Sequence, residues 1–173
     1  MRILFLSTVL VLGLSLSARS ADTTVKISDV HLCCKACVTG VEKAVGKVEG
    51  VTVAADQNAE TVTLTGPDAA TVQKAADALV AGGYFGTSDS DKVKVKADTG
   101  AKGQKVESLT VEGVHLCCRA CVTAVDEAVK AVPGVKEHNA QRNAKTFTVT
   151  GDFNDKEVFD ALQKAGLSGK AAK

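Results

Sequence analysis

Residues 31–51 read HLCCKACVTGVEKAVGKVEGV, and residues 115–135 read HLCCRACVTAVDEAVKAVPGV. Fourteen of the 21 positions are identical at a constant offset of 84. Farther along, TVTLTG at 61–66 answers TFTVTG at 146–151, and Ala78-Leu79 before Gly82-Gly83 answers Ala161-Leu162 before Gly166. The chain therefore holds two copies of one unit of roughly 70 residues.

Each copy follows the same order of elements. Val25 and Ile27, matched by Leu109 and Val111, alternate as a strand does. The cysteine cluster comes next. Val38, Val41, Val45 and Val48 then recur at helical spacing, matched by Val122, Val125, Val129 and Val132. Gly50 and Gly134 are expected to end these helices. Residues 51–55 and 61–65 read as a hairpin around Asp56-Gln57-Asn58. A second helix carries Val72, Ala75, Ala76 and Leu79, or Val158, Ala161, Leu162 and Ala165, with Asn154 and Glu157 as a capping box. Val93 and Val95 suggest a closing strand in the first copy, whereas residues 167–173 leave a short strand or none in the second. The order β-α-β-β-α-β predicts an α+β fold of two ferredoxin-like βαββαβ sandwich domains in tandem.

Composition sets the outer bounds. The 173 residues are 45% hydrophobic and 24% charged, with 15 Gly and 2 Pro, as in an ordinary globular protein. Aromatics make up 3% and Trp is absent, so Val, Ala and Leu must build the core. A net charge of +1 gives no electrostatic reason to expect nucleic acid as partner. Residues 1–20 read as a secretory signal: Arg2 starts it, an apolar run follows, and Ala18-Arg19-Ser20 offers a cleavage site. The expected organisation is a signal peptide at 1–20, a first domain at 21–96, a polar linker at 97–105 and a second domain at 106–173. The expected location is periplasmic or secreted, with no membrane attachment after cleavage. The linker tethers the two domains over about 15–18 Å without setting their orientation.

All six cysteines lie in two clusters, Cys33, Cys34, Cys37 and Cys117, Cys118, Cys121. A disulfide framework would scatter them along the chain. Cys34-Lys35-Ala36-Cys37 and Cys118-Arg119-Ala120-Cys121 are C-x-x-C motifs between a strand and the first turn of a helix. There, unpaired N–H groups, the helix dipole and the adjacent Lys35 or Arg119 favour thiolate over thiol. Thiolates bind soft ions such as Cu(I), Zn(II) or Hg(II).

These loops resemble the heavy-metal-associated domain, whose motif is G-M-x-C-x-x-C within a βαββαβ unit. The resemblance covers both copies and implies that Cys34, Cys37, Cys118 and Cys121 are the metal cysteines. It implies Cu(I) as the foremost ion, and a metal transporter or another metal-binding protein as partner. Gly83-Tyr84 looks like the Gly-Tyr that ends the second helix near the family's metal loop; the second copy has Leu167 instead. His31-Leu32 and His115-Leu116 replace Gly-Met, a near volume-conserving change at the core position. Cys33 and Cys117 put a third thiol beside each motif, either as a third ligand or pointing away as a small hydrophobe. His31 and His115 are either further ligands or loop residues hydrogen-bonded nearby, and His138 reads as a surface histidine.

Two other functions fit parts of the sequence. C-x-x-C at a helix start also describes thiol–disulfide redox proteins, but Pro67 and Pro133 supply no partner-facing proline in both copies. A purely structural repeat protein would have no use for both complete clusters. The chain lacks a phosphate-cradling glycine loop, a triad arrangement and paired acids on one face, so it reads as a non-enzyme.

Overall fold

A computed structural model describes residues 22–172; the signal segment expected at 1–20 lies outside them. The first unit runs β1 (Thr23–Ser28), α1 (Lys35–Val45), β2 (Thr52–Asp56), β3 (Thr61–Gly66), α2 (Ala69–Ala81) and β4 (Thr87–Ser88). The second repeats it as β5 (Lys105–Glu112), α3 (Arg119–Lys130), β6 (Val135–His138), β7 (Thr146–Asn154), α4 (Asp155–Lys164) and β8 (Lys170–Ala171). The antiparallel sheets have the orders β2-β3-β1-β4 and β6-β7-β5-β8, and two helices lie against each. Each unit is thus a ferredoxin-like α+β sandwich. Among the described residues no helix is long and apolar enough to cross a membrane.

The apolar stripes read from the sequence face these sheets. Val25, Ile27, Val41, Val45 and Leu79 are fully buried in the first unit, as are Val125, Val129, Val158 and Leu162 in the second. Leu32 and Leu116 are buried too, so leucine fills its core place next to each cysteine loop. Phe159 joins the core of α4 at 1% exposure, while Ala161 is only partly buried. Asp68 starts α2 by accepting from the Thr71 N–H at 2.7 Å. Asn154 starts α4 by accepting from the Lys156 N–H at 2.9 Å, one residue earlier than a capping box with Glu157 requires.

Two expectations are corrected. The strand that closes the first sheet is Thr87–Ser88, paired with Ile27 and Ser28, and not the Val93–Val95 segment. Val93 is fully buried, but Gln73 on α2 brackets Lys94, donating to its carbonyl and accepting from its N–H, both at 2.8 Å. That side chain satisfies the backbone groups a sheet partner would need. Nor do Gly50 and Gly134 end the first helices, which stop at Val45 and Lys130. Both glycines sit later, at φ +76° and +88°, in the turns that enter β2 and β6. A Cβ at Gly134 would strike the Asp152 carbonyl.

Lys105, placed in the linker from sequence, is the first residue of β5. The stretch before it is stitched to the second unit: Asp155, 7% exposed, accepts from the N–H groups of Lys102 and Gln104, each at 2.9 Å. The relative placement of the units is set elsewhere. The segments that follow α2 and α4 pair with each other: the Phe85 N–H donates to Gly166 O and the Ser168 N–H to Gly83 O, both at 3.0 Å, around a Tyr84–Leu167 bridge. Gly83 and Gly166 have positive φ, and each lies against the loop that leads to the other unit's cysteines. A Cβ on Gly83 would come within 2.5 Å of the His115 nitrogen, and one on Gly166 within 2.5 Å of the His31 nitrogen.

Candidate metal centre

The two cysteine loops are built alike. Cys34 and Cys118 are the N-caps of α1 and α3, with extended backbone (φ −160° and −144°) and no side-chain cap bond, so their sulfurs stay available. Cys37 and Cys121, one helical turn on, are fully buried. Within each motif the two sulfurs are 3.8 Å apart.

Pairing of the two units turns these loops toward each other. Cys37 Sγ lies 3.9 Å from Cys121 Sγ. Cys33 Sγ lies 3.5 Å from Cys37 in its own unit, and 3.3 Å and 3.6 Å from Cys118 and Cys121 in the other. Cys117 mirrors it, at 3.8 Å from Cys121, 3.8 Å from Cys34 and 3.5 Å from Cys37. The third thiols therefore point into the centre, which settles their orientation. The sequence left open whether the cysteines serve one site or two; the six sulfurs form a single contact network.

The network contains several three-donor groups whose atoms lie within 4.8 Å of one another: Cys33, Cys34 and Cys118; Cys34, Cys37 and Cys117; Cys117, Cys118 and Cys121. A ring nitrogen of His31 completes a fourth with Cys33 and Cys121. The Nε2 atoms of His31 and His115 are buried and lack hydrogen-bond partners within the described chain. His138, by contrast, belongs to the second unit's own framework and is not a surface residue: its side chain is 8% exposed. Its Nδ1 accepts from the Ala140 N–H at 3.2 Å, which leaves the proton on Nε2 to be donated to Asp126 at 2.9 Å.

Crowding divides the protons unevenly. In the buried Cys37–Cys121 pair, Cys37 is pushed well below the usual thiol range, chiefly because the Cys121 thiol donates to it; His115, Cys117 and Cys33 act the same way against the cost of burial. Cys121 is driven far above the usual thiol range by that same bond, by burial and by the nearby negative charge. Burial and the neighbouring thiols raise Cys33 and Cys117 likewise. Cys118 goes the other way: burial raises it, but the helix N–H groups of Cys121 and Ala120 and the thiols of Cys33 and Cys121 outweigh that, bringing it down to about 7. Six sulfurs in contact cannot all ionise unless cations replace the protons. An all-sulfur donor set of this kind suits a soft ion.

Residues 108–168, which carry α3 and its Cys118–Cys121 motif, match the family model of the heavy-metal-associated domain. The second unit is a heavy-metal-associated domain. The first unit repeats the fold of this heavy-metal-associated domain and its cysteine loop. Among solved structures, the N-terminal domain of PacS from Synechocystis PCC6803 is 20% identical, covering 39% of this chain and all of that one, with a TM-score of 0.36. The N-terminal soluble domains of Bacillus subtilis CopA are 18% identical over 88% of this chain and 95% of that one, with a TM-score of 0.33. The first two RRM domains of the yeast poly(U) binding protein Pub1 reach 8% identity and a TM-score of 0.25 over 87% and 98%. No curated protein matches.

Proposed function

We propose that this is an exported protein that binds soft heavy-metal ions through the thiolates of Cys34, Cys37, Cys118 and Cys121, and sequesters them or hands them on. The observation that carries the reading is the convergence of both C-x-x-C pairs, at helix N-termini, on one all-sulfur centre. Cu(I) is the foremost candidate because it accepts low coordination by thiolate alone; Zn(II) and Hg(II) are the others. Transfer would proceed by thiolate exchange with a metal transporter or another metal-binding protein, with no catalytic step. Export rests on the signal-like segment at residues 1–20 and places the protein in the periplasm or outside the cell.

Native mass spectrometry of the anaerobically purified protein, with Cu(I), Zn(II) or Hg(II) offered against a competing chelator, tests the reading. Bound ions that disappear when the four motif cysteines become Ser support it. A chain that binds none, and instead loses pairs of protons reversibly with oxidant and reductant, would make it a thiol–disulfide redox protein. An N-terminus beginning at Ala21 in the recovered protein would support export, and an intact Met1 would count against it.

A further inference from the structure

The proposed metal-binding reading leaves two features without a role: a third cysteine in each loop, and a close backbone pairing that brings the loops together. Of the five sulfur contacts between the units, four involve Cys33 or Cys117. Each touches one thiol of its own unit and two of the other, at 3.3–3.8 Å. The C-x-x-C sulfurs alone have a single contact between units, Cys37 to Cys121 at 3.9 Å. The three-donor groups also share members: Cys34, Cys117 and Cys118 each belong to two of the three all-cysteine groups, and Cys33 belongs to one of these and to the group with His31. Two independent ions would leave such sharing unused, whereas a thiolate sulfur has lone pairs enough to bridge two soft ions.

We infer that the two units close on one polynuclear Cu(I)–thiolate cluster, in which Cys33 and Cys117 are the bridging thiolates that merge two C-x-x-C sites. This rests on the metal-binding reading above and adds the number of ions and the residues that share them. The step is ligand exchange: S–Cu bonds form, S–H bonds break, the thiol protons pass to solvent, and copper enters and remains as Cu(I). The buried, unpartnered Nε2 atoms of His31 and His115 lie on the same loops, and the ring of His31 sits beside Cys33 of its own unit and Cys121 of the other. Gly83 and Gly166 allow the closure, since only glycine leaves room for the opposing backbone at His115 and His31.

The test counts Cu(I) ions on the monomeric full chain by native mass spectrometry under a competing chelator. The wild-type protein should take up more than two ions cooperatively and show the luminescence of a solvent-shielded Cu(I)–thiolate cluster. The Cys33→Ser/Cys117→Ser variant should fall to two ions or fewer and lose the emission while still binding copper. Gly83→Ala/Gly166→Ala touches no sulfur and should lose the emission too, with far-ultraviolet circular dichroism reporting that both units remain folded. A wild-type chain that stops at two ions, a serine variant that matches wild type, or extra ions found only on dimers would each overturn the shared cluster while leaving metal binding intact. No copper on any form would overturn the metal-binding reading itself.

Discussion

The ring of Tyr84, in the first unit, stacks on that of His115 in the second, with centroids 4.7 Å apart and planes inclined by 30°. The same tyrosine is fully buried and donates its hydroxyl to the Cys37 carbonyl at 2.9 Å. One side chain thus joins its own cysteine loop to the histidine that opens the other. Tyr84→Phe keeps the stack and removes the hydroxyl, and is expected to cost about 1 kcal/mol. Tyr84→Ala removes the ring and should cost ~3–5 kcal/mol. Guanidinium unfolding monitored by circular dichroism measures both; equal losses would mean that the ring does not pack as described.

Gly40 on α1 makes room for this tyrosine, because a Cβ there would strike the Tyr84 hydroxyl and come within 2.9 Å of the His115 ring. The second unit has Ala124 at the corresponding place and Leu167 in place of the tyrosine. Gly40→Ala should therefore destabilise by ~1–3 kcal/mol through overpacking. In a Tyr84→Leu background, the pair found in the second unit, the same Gly40→Ala change should cost little, since the clash is gone and alanine is the better helix residue by about 1 kcal/mol. A double-mutant cycle with no coupling would contradict the contact.

Asp155 is buried at the start of α4, where burial alone would raise its pKa. The N–H groups of Lys102, Gln104, Gly103 and Lys156 more than offset this and hold it below the usual carboxylate range. A depressed folded pKa means that Asp155 contributes stability above the unfolded value of about 3.9 and loses it as pH falls through the folded value. Asp155→Asn should accordingly cost ~1–3 kcal/mol at neutral pH, with the gap to wild type closing in acid. A gap that stays constant down to the acid limit would show that the charge is not what matters.

The uneven proton distribution predicts unequal thiol reactivity in the metal-free protein. Cys118, whose pKa is lowered to about 7, should be alkylated with a half-maximal rate near that pH, the thiolate fraction rising as pH rises. Cys33 and Cys117, pushed up by burial and neighbouring thiols, should lag behind it at every pH below the usual thiol range. Isotope-coded alkylation read by peptide mass spectrometry separates the six positions. Uniform profiles would indicate that the thiols do not meet in the metal-free chain.

Local features were readable because local rules govern them. Val41 and Val45 face the core as their spacing demands, and the placement of Cys37 and Cys121 one turn after Cys34 and Cys118 follows from the C-x-x-C interval. Val93 misled because an apolar alternation cannot reveal that Gln73 occupies the backbone groups of Lys94. His138 misled because Asp126 and Phe147, which enclose it, come from α3 and β7. One long-range clue was present in the letters: Gly40 with Tyr84, against Ala124 with Leu167, are two positions that differ together between the copies.

By itself the sequence determined the duplication, the βαββαβ order in each copy and the presence of three thiols at the start of each first helix. These depend on period, spacing and capping, which act over a few residues. Only the tertiary structure decided that the two loops meet and make one sulfur network. That outcome depends on backbone pairing between residues 83–85 and 166–168, and on two glycines that admit the opposing chain. Hydrogen bonds between segments some 80 positions apart carry no periodic signature, because main-chain groups pair without regard to the side chains between them.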